Sequence, residues 1–331
     1  MHVTDTMLQL LEATERRRDE RRQFIRTAGA AAIAAGGLSL LAACDSNDKG
    51  SVSPAPTPAP TPTPTPTTFA DADVLNFALN LEYLEAQFYS FAVTGVSIPI
   101  ELLSGTGTPG APTGGRQVTF SDPVVAQYAR EIAADEVAHV RFLRSVLGTA
   151  AVAQPALDIS AAGPFTAAAR AAGVVGPTGT FDPYANDESF LLGAYIFEDV
   201  GVSAYKGASP LIVNKTYLEA AAGILAAEAY HAGLIRTVLY AKGIATPALR
   251  TNADKISDAR DSLDGATDLD QGITGDATTS NIVPTDADGI AFSRSAGQVL
   301  NIAYLNKSAV VGGGFFPIGV NGAIRTSAAS G

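Results

Sequence analysis

The sequence predicts an all-α protein whose core is a four-helix bundle with a long crossover connection between its second and third helices. Apolar residues recur at three- and four-residue spacing over four long segments, which is the pattern of helices with one buried face. Residues 149–185 separate the second segment from the third, and a connection of this length is typical of crossover bundles. Hydrophobic residues make up 47% of the chain, enough to form a core.

The first 43 residues are predicted to be a targeting signal and not part of the fold. A charged start ends in RRQFIR, and a weakly apolar run of roughly 16 residues follows up to Ala43, which is short for a membrane-spanning helix. The arginine pair resembles a twin-arginine export signal, and the LAAC string that ends at Cys44 resembles a lipobox. The alternative is an anchor helix with an incidental cysteine.

A proline-rich linker is expected at 44–68. Residues 51–68 hold 7 of the 19 prolines, alternating mainly with threonine, which favours the extended polyproline II conformation. Such a stalk would hold a domain away from a membrane, and a disordered linker would give the same topology. The bundle is assigned to 69–245 and a C-terminal extension to 246–331.

The four helices are bounded by recognisable capping signals. Asp71 and Asp73 can cap a first helix that runs to about 91, and Ser121, followed by Pro123, starts a second that runs to 148. The third helix spans about 187–207. Asn214 starts the fourth, which ends before 243, and a short helical stretch is expected near 165–172.

The C-terminal extension differs in composition, because it is rich in Asp, Gly and Thr. One helix is predicted at 296–305, where Ser295 and Gln298 form a capping box. The apolar residues Phe315, Phe316, Ile318 and Val320 give the extension something to bury. It is therefore expected to wrap the bundle and not to form a second domain.

Each long helix places a glutamate in the middle of its apolar stripe. Burying an ionised carboxylate costs several kcal/mol unless it is paired or bound to a metal, so four such residues need one shared explanation. Along the chain they read Glu, Glu-x-x-His, Glu, Glu-x-x-His; the residues are Glu82, Glu136, His139, Glu198, Glu228 and His231. Residues three apart share a helix face, so each Glu-x-x-His can direct an oxygen and a nitrogen at one point.

The two halves of the bundle are similar beyond these residues. ADEVAHVRFLRSVL, starting at Ala134, aligns with AAEAYHAGLIRTVL, starting at Ala226, at an offset of 92. A tyrosine follows Glu82 and Glu198 at the same distance, giving Tyr89 and Tyr205. The bundle is thus interpreted as an internal duplication of a two-helix unit.

Charge balance predicts how many metal ions this ligand set would hold. Four carboxylates carry a charge of −4, which two divalent ions neutralise when both imidazoles are neutral. Oxygen and imidazole ligands suit iron, with manganese as the alternative, so the expected cofactor is a dinuclear pair of Fe or Mn ions. The competing interpretation is a degenerate bundle in which the same residues form a metal-free hydrogen-bond network.

The pattern resembles the ferritin-like di-metal carboxylate superfamily. The Glu-x6-Tyr pairs look like those of its rubrerythrin and erythrin branch, and SDARDSLDGATDLDQGI and NIVPTDADGIAFSRSAGQVLNIAYLN in the extension resemble the desiccation-related branch. The resemblance covers about 70–331 and implies a ferritin-like bundle.

The resemblance also implies a role for each residue. Glu82 and Glu198 would be terminal ligands, Glu136 and Glu228 would bridge the metals, and His139 and His231 would each bind one metal. Tyr89 and Tyr205 would hydrogen-bond ligand carboxylates, and Asp135 would orient a histidine on the opposite helix. Ala227 occupies the place of Asp135 in the second repeat, so one histidine would lack a carboxylate partner.

Several residues keep more than one interpretation. Tyr89 and Tyr205 could be simple core tyrosines. Glu85 could be a seventh ligand, but a salt bridge at the edge of the stripe is favoured. Arg144 and Arg236 are interpreted as ion-pair partners of acidic neighbours.

The expected function is the handling of oxidants in stress protection, as peroxide or O2 reduction or as Fe(II) oxidation, because a metal pair can share a two-electron change. The alternative is a non-catalytic desiccation-related protein in which metal only braces the bundle. A net charge of −11 excludes nucleic acid as a partner. The expected partners are a membrane, reached through a lipid on Cys44, and a small oxidant or metal ion as substrate, with a homodimer left open. The expected location is the periplasm or the cell exterior.

Overall fold

A computed structural model of the chain describes residues 69–331. The predicted signal segment, Cys44 and the proline-rich linker lie outside the described residues. Among the helices of 69–331, none combines the length and the apolar composition that crossing a bilayer requires.

Four long helices form the bundle, as predicted. They are α1 (Asp71–Thr94), α2 (Pro123–Leu147), α4 (Asp187–Ala208) and α5 (Lys215–Ala245). Helix α1 packs mainly against α2, and α4 packs mainly against α5, so the bundle consists of two helical hairpins. The all-α fold with a long crossover between the second and third long helices is therefore confirmed.

The helix starts agree with the sequence only in part. Helix α1 begins after Ala70, whose N–H donates to Asp73 Oδ2, whereas Asp71 accepts from Val213 N and Asn214 N at the start of α5 and does not cap its own helix. Asn214 caps α5 by accepting hydrogen bonds from Thr216 N and Tyr217 N. The cap of α2 is Asp122 and not Ser121, because the Asp122 carboxylate accepts from the first backbone N–H groups of the helix.

The connections between hairpins carry short elements. Strands β1 (Pro112–Thr113) and β2 (Leu157–Asp158) pair in parallel, which ties the loop after α1 to the crossover. One turn of π-helix (Ala161–Phe165) leads into α3 (Thr166–Ala171), the short helix predicted near 165–172. Single 3-10 turns lie at Ile100–Leu102, Gly148–Ala150 and Ser209–Leu211.

The C-terminal extension contains one helix that the sequence analysis missed. Helix α6 (Ala248–Asp264) packs against α4 and α5, and α7 (Ala296–Ala303) packs against α4 and α6. Ser295 and Gln298 form the predicted capping box of α7. Phe315, Phe316 and Val320 are buried, whereas Ile318 is exposed.

Three buried arginines and three buried aspartates join the extension to the bundle. Arg236 Nη1 lies 2.8 Å from Asp199 Oδ2, and Arg260 Nη2 lies 2.7 Å from the same oxygen. Asp270 forms ion pairs with both Arg260 and Arg294, and Asp264 also pairs with Arg294. Because the charges cancel and each is paired, the extension can bury them against α4.

Candidate metal centre

The six candidate ligands meet in the middle of the bundle. Glu82 lies on α1, Glu198 on α4, and each of α2 and α5 supplies one Glu-x-x-His pair. All four carboxylates are at most 1% exposed, and the two imidazoles are 12% and 6% exposed. The pattern of apolar stripes explains this placement, because each ligand occupies a core position of its helix.

The ligand atoms form two groups that share Glu136. Glu82, Glu136, His139 and Glu228 each offer one atom within 4.8 Å of the others. Glu136, Glu198 and His231 do the same. In the first group His139 Nδ1 lies 3.2 Å from Glu82 Oε2 and 3.7 Å from Glu228 Oε1. In the second, His231 Nδ1 lies 3.1 Å from Glu136 Oε1 and 3.6 Å from Glu198 Oε2.

Several buried atoms of these residues have no hydrogen-bond partner within residues 69–331, which fits the binding of metal. In this part of the chain, both oxygens of Glu136, both of Glu228, Glu198 Oε2 and His231 Nδ1 are buried without such a partner. The 3.1 Å approach of His231 to Glu136 thus lacks hydrogen-bond geometry. Leaving so many buried polar atoms unsatisfied is costly, whereas metal ions would satisfy them together.

Each tyrosine holds the terminal glutamate of the other hairpin. The Tyr89 hydroxyl donates to Glu198 Oε1, and the Tyr205 hydroxyl donates to Glu82 Oε1. Both tyrosines are buried, so they are core residues as well as hydrogen-bond donors. These bonds leave Oε2 of each glutamate facing the histidines.

The two imidazoles have different surroundings on their outer side. Asp135 Oδ2 lies 3.1 Å from His231 Nε2 across the α2–α5 interface. This contact leaves Nδ1 of that ring facing Glu136 and Glu198. Ala227 occupies the position of Asp135 in the second repeat, and the ion pairs of His139 within residues 69–331 all involve Nδ1. The two candidate metal positions are therefore unequal.

Without a cation the cluster retains protons. Burial and the charge of Glu136 raise the pKa of Glu82 to about 7, and burial raises that of Glu198 to about 8. Burial opposes ionisation of Glu136 too, but the two imidazoles lower its pKa to about 2. The carboxylates outweigh burial at His231 and raise its pKa to about 9. Metal binding must displace these protons.

Glu85 corrects one interpretation of the sequence. It is 5% exposed, and within residues 69–331 it forms no recorded ion pair or hydrogen bond, so it is not an edge salt bridge. Burial and the charges of Glu136, Glu198 and Glu82 raise its pKa well above the usual value. Glu85 is thus a fifth buried carboxylate beside the candidate centre. The sequence did contain a signal for this position, because Glu85 lies three residues after Glu82 and therefore shares its helix face.

The two equivalent arginines also differ. Arg236 pairs with Asp199, as interpreted. Arg144 instead donates to the Tyr83 hydroxyl and to the Ser104 carbonyl, both at 2.6 Å, and forms no recorded ion pair in the described part of the chain. Tyr83 follows Glu82 directly, and Asp199 follows Glu198 directly. The two arginines therefore contact equivalent positions in the two repeats.

Comparison with known proteins agrees with this arrangement. The family model described as "Ferritin-like domain" matches residues 70–241, which include all six candidate ligands. A protein of Nesocodon mauritianus named "Ferritin-like catalase Nec2" is 30% identical over 270 residues, covering 77% of this chain and 85% of the relative.

A second relative, "Desiccation-related protein PCC13-62" of Craterostigma plantagineum, is 34% identical over 249 residues, covering 70% of this chain and 76% of the relative. Both alignments are longer than the family match, and both include a share of each chain above two thirds. This chain therefore belongs to the ferritin-like domain family, in the branch of its desiccation-related members.

Proposed function

We propose that the protein holds two iron or two manganese ions in the bundle and decomposes hydrogen peroxide into water and O2. The observation that carries the proposal is the set of unpartnered ligand atoms, which converge in two groups around Glu136. The relative named as a ferritin-like catalase supports this choice among oxidant reactions. The reaction is balanced by peroxide alone, since one molecule is reduced while another is oxidised, and needs no external electron donor.

The protein would contribute ligand geometry and a closed environment. Glu136 and Glu228 come from facing helices and have both oxygens free, which suits bridging. Glu82 and Glu198 each have one oxygen fixed by a tyrosine, which suits a terminal ligand. A bound metal pair would supply the two-electron change that peroxide chemistry requires.

The test begins with metal loading of the purified chain. We expect two Fe or two Mn ions per chain by mass spectrometry, and O2 release at half the rate of peroxide consumption. Glu228→Gln should reduce the metal content and the turnover, whereas Glu219→Gln, on the exposed side of the same helix, should change neither. Less than about half a metal ion per chain, or a loaded centre without O2 release, would contradict the proposal. Fe(II) oxidation, measured in parallel, identifies a ferroxidase instead.

A second candidate is a protective protein in which metal only stabilises the bundle. The relative named as desiccation-related favours it. In that case His139→Ala and Glu228→Ala should lower the melting temperature of the loaded protein, and no variant should affect a turnover. This candidate fails if both variants keep the melting temperature but lose peroxide turnover.

We further propose that the protein is exported by the twin-arginine pathway and anchored through a lipid on Cys44, facing the periplasm or the cell exterior. The support is the order of RRQFIR, the apolar run and LAAC in the sequence. Cys44→Ser should release the protein from the membrane fraction, and replacing Arg21 and Arg22 by lysine should block export. Membrane association that survives Cys44→Ser would indicate the plain anchor helix.

A further inference from the structure

A small buried cavity lies beside the candidate metal centre, between α1, α4 and α7. Its volume is about 30 Å³, and apolar side chains such as Leu84, Val200, Val299 and Phe315 line it. Glu85 is the exception, since it is the one charged residue in this lining. A cavity holds a water molecule at about 10–15 Å³ by the same measure, so this chamber has room for a molecule of one or two heavy atoms.

Gly201 separates the chamber from the ligands by its backbone alone. It lines the chamber, and a Cβ at this position would lie 2.1 Å from Glu228 Oε2 and 3.5 Å from Glu85 Oε1. The Glu228 carboxylate therefore packs directly against the Gly201 backbone, in the space that a side chain would need. The chamber thus adjoins a candidate ligand across the backbone of Gly201.

The opposite side of the centre is occupied by the ligands themselves. A broad cleft between α2 and α5 reaches His231 and Asp135. His231 lies between that cleft and the carboxylates, and the contact with Asp135 holds its ring in place. A small molecule entering there would meet His231 first, whereas from the chamber it meets Glu85 and the backbone of Gly201.

A second apolar cavity continues the chamber toward the surface. It has a volume of about 270 Å³, lies between α3, α6 and α7, and has a mainly apolar lining that also includes Arg260 and Lys307. Ile196 and Ile302 line both cavities, so their side chains separate one from the other. Both isoleucines are buried, at 5% and 3% exposure.

We propose that these two cavities form the route by which a small uncharged oxidant, of the size of hydrogen peroxide or O2, reaches the centre, with Glu85 accepting a hydrogen bond from the peroxide that enters. The proposal rests on the function proposed above and narrows its substrate class. An apolar wall does not replace the hydration of an ion, so the route disfavours Fe(II). The volume of the chamber excludes organic peroxides.

Variants that change the chamber in opposite directions test the route. Ala303→Leu should fill it and reduce kcat/KM for hydrogen peroxide by about tenfold or more. Ile302→Ala should join the two cavities, so that tert-butyl hydroperoxide, which does not slow peroxide consumption by the unmodified protein, becomes an inhibitor. Ala222→Leu adds the same group on the exposed side of α5, away from both the chamber and the cleft, and should have neither effect.

Two further measurements do not depend on turnover. The metal content of all three variants should equal that of the unmodified protein. Crystals of the unmodified protein under xenon pressure should show xenon in the chamber or in the outer cavity, and Ala303→Leu should lose the chamber site.

The outcomes separate this proposal from the function. If the unmodified, metal-loaded protein does not consume peroxide, the proposed function itself is wrong. If that protein consumes peroxide but Ala303→Leu turns over normally, or Ile302→Ala remains insensitive to tert-butyl hydroperoxide, the route is wrong and the function stands. The absence of xenon from both cavities also overturns the route.

Discussion

Removing the metal should reverse the pH dependence of stability between pH 5.5 and 8. In the metal-free protein burial raises the pKa of Glu82 to about 7 and that of Glu198 to about 8, from 4.5. The folded state then binds more protons than the unfolded state over this interval. The free energy of unfolding therefore falls as the pH rises through the folded pKa values. His231, raised from 6.5 to about 9, acts in the same direction at higher pH.

The expected size follows from the Glu82 pKa. One pKa unit corresponds to about 1.4 kcal/mol, and the loss at Glu82 between pH 5.5 and its folded pKa of about 7 is therefore about 2 kcal/mol. For a domain of this size that loss lowers the melting temperature by roughly 4 to 8 °C. Glu136 has a lowered pKa of about 2, so its contribution changes only below pH 4.5 and lies outside the interval.

Bound metal should stabilise the folded protein more strongly as the pH rises. The ligands must lose their protons to bind it, so affinity increases with pH. At a free metal concentration one hundred times the dissociation constant, one site adds about 2.7 kcal/mol to the free energy of unfolding. The metal-induced increase in melting temperature should therefore be larger at pH 8 than at pH 5.5.

The assay is calorimetry at both pH values, with chelator and with added metal. His139→Ala serves as the control and should respond little to metal at either pH. Two results would refute the reasoning: a chelated protein whose melting temperature rises from pH 5.5 to 8, or a metal effect that is the same at both.

Three substitutions test separate parts of the structure. Asp135→Asn weakens the partner of His231, so one of two metal ions should bind about 10- to 100-fold more weakly in calorimetric titration. Tyr205→Phe leaves Glu82 Oε1 buried without its donor and should lower the free energy of unfolding by about 1–3 kcal/mol in urea. Asp270→Ala leaves two buried guanidinium groups short of a partner and should cost about 3–5 kcal/mol in the same assay.

Each substitution has a matched control. Glu131→Gln is exposed on the same helix as Asp135 and should keep both metal affinities, and Tyr230→Phe is an exposed counterpart of Tyr205. Asp182→Ala breaks an exposed pair with Arg116 and should cost at most about 1 kcal/mol. Equal weakening of both metals by Asp135→Asn, or equal costs at Asp270 and Asp182, would contradict the structural assignments.

The bundle was predictable because its helices follow a regular apolar period, and the six candidate ligands interrupt that period at core positions. Helix α6 was not predictable in this way, because its buried side includes Arg260 and Asp264, which a hydropathy pattern counts as surface residues. Two of their partners, Asp199 and Arg294, lie 61 and 30 residues away along the chain, so no helical pattern reveals that these charges are neutralised. Tertiary contacts bury these ion pairs, so the apolar periodicity of the sequence does not show which side of α6 is buried.

The prediction that Glu85 forms a salt bridge at the edge of the apolar stripe was wrong for a related reason. A charged residue beside an apolar stripe is normally at a solvated edge, and its sequence does not distinguish that case from burial. Glu85 is buried among residues of α4, such as Gly201, and residues of α7, which line the same chamber. These residues lie more than one hundred positions further along the chain.

The crossed bonds from Tyr89 to Glu198 and from Tyr205 to Glu82 mean that neither hairpin is sufficient to arrange its own terminal ligand. A single ancestral hairpin would have completed such a centre only by pairing with a second copy of itself. Two identical copies must carry every mutation twice, so their shared axis stays symmetric. Fusion into one chain removes that constraint. Asp135 opposite Ala227, and Glu85 opposite Gly201, are differences between the two halves that two identical hairpins could not carry.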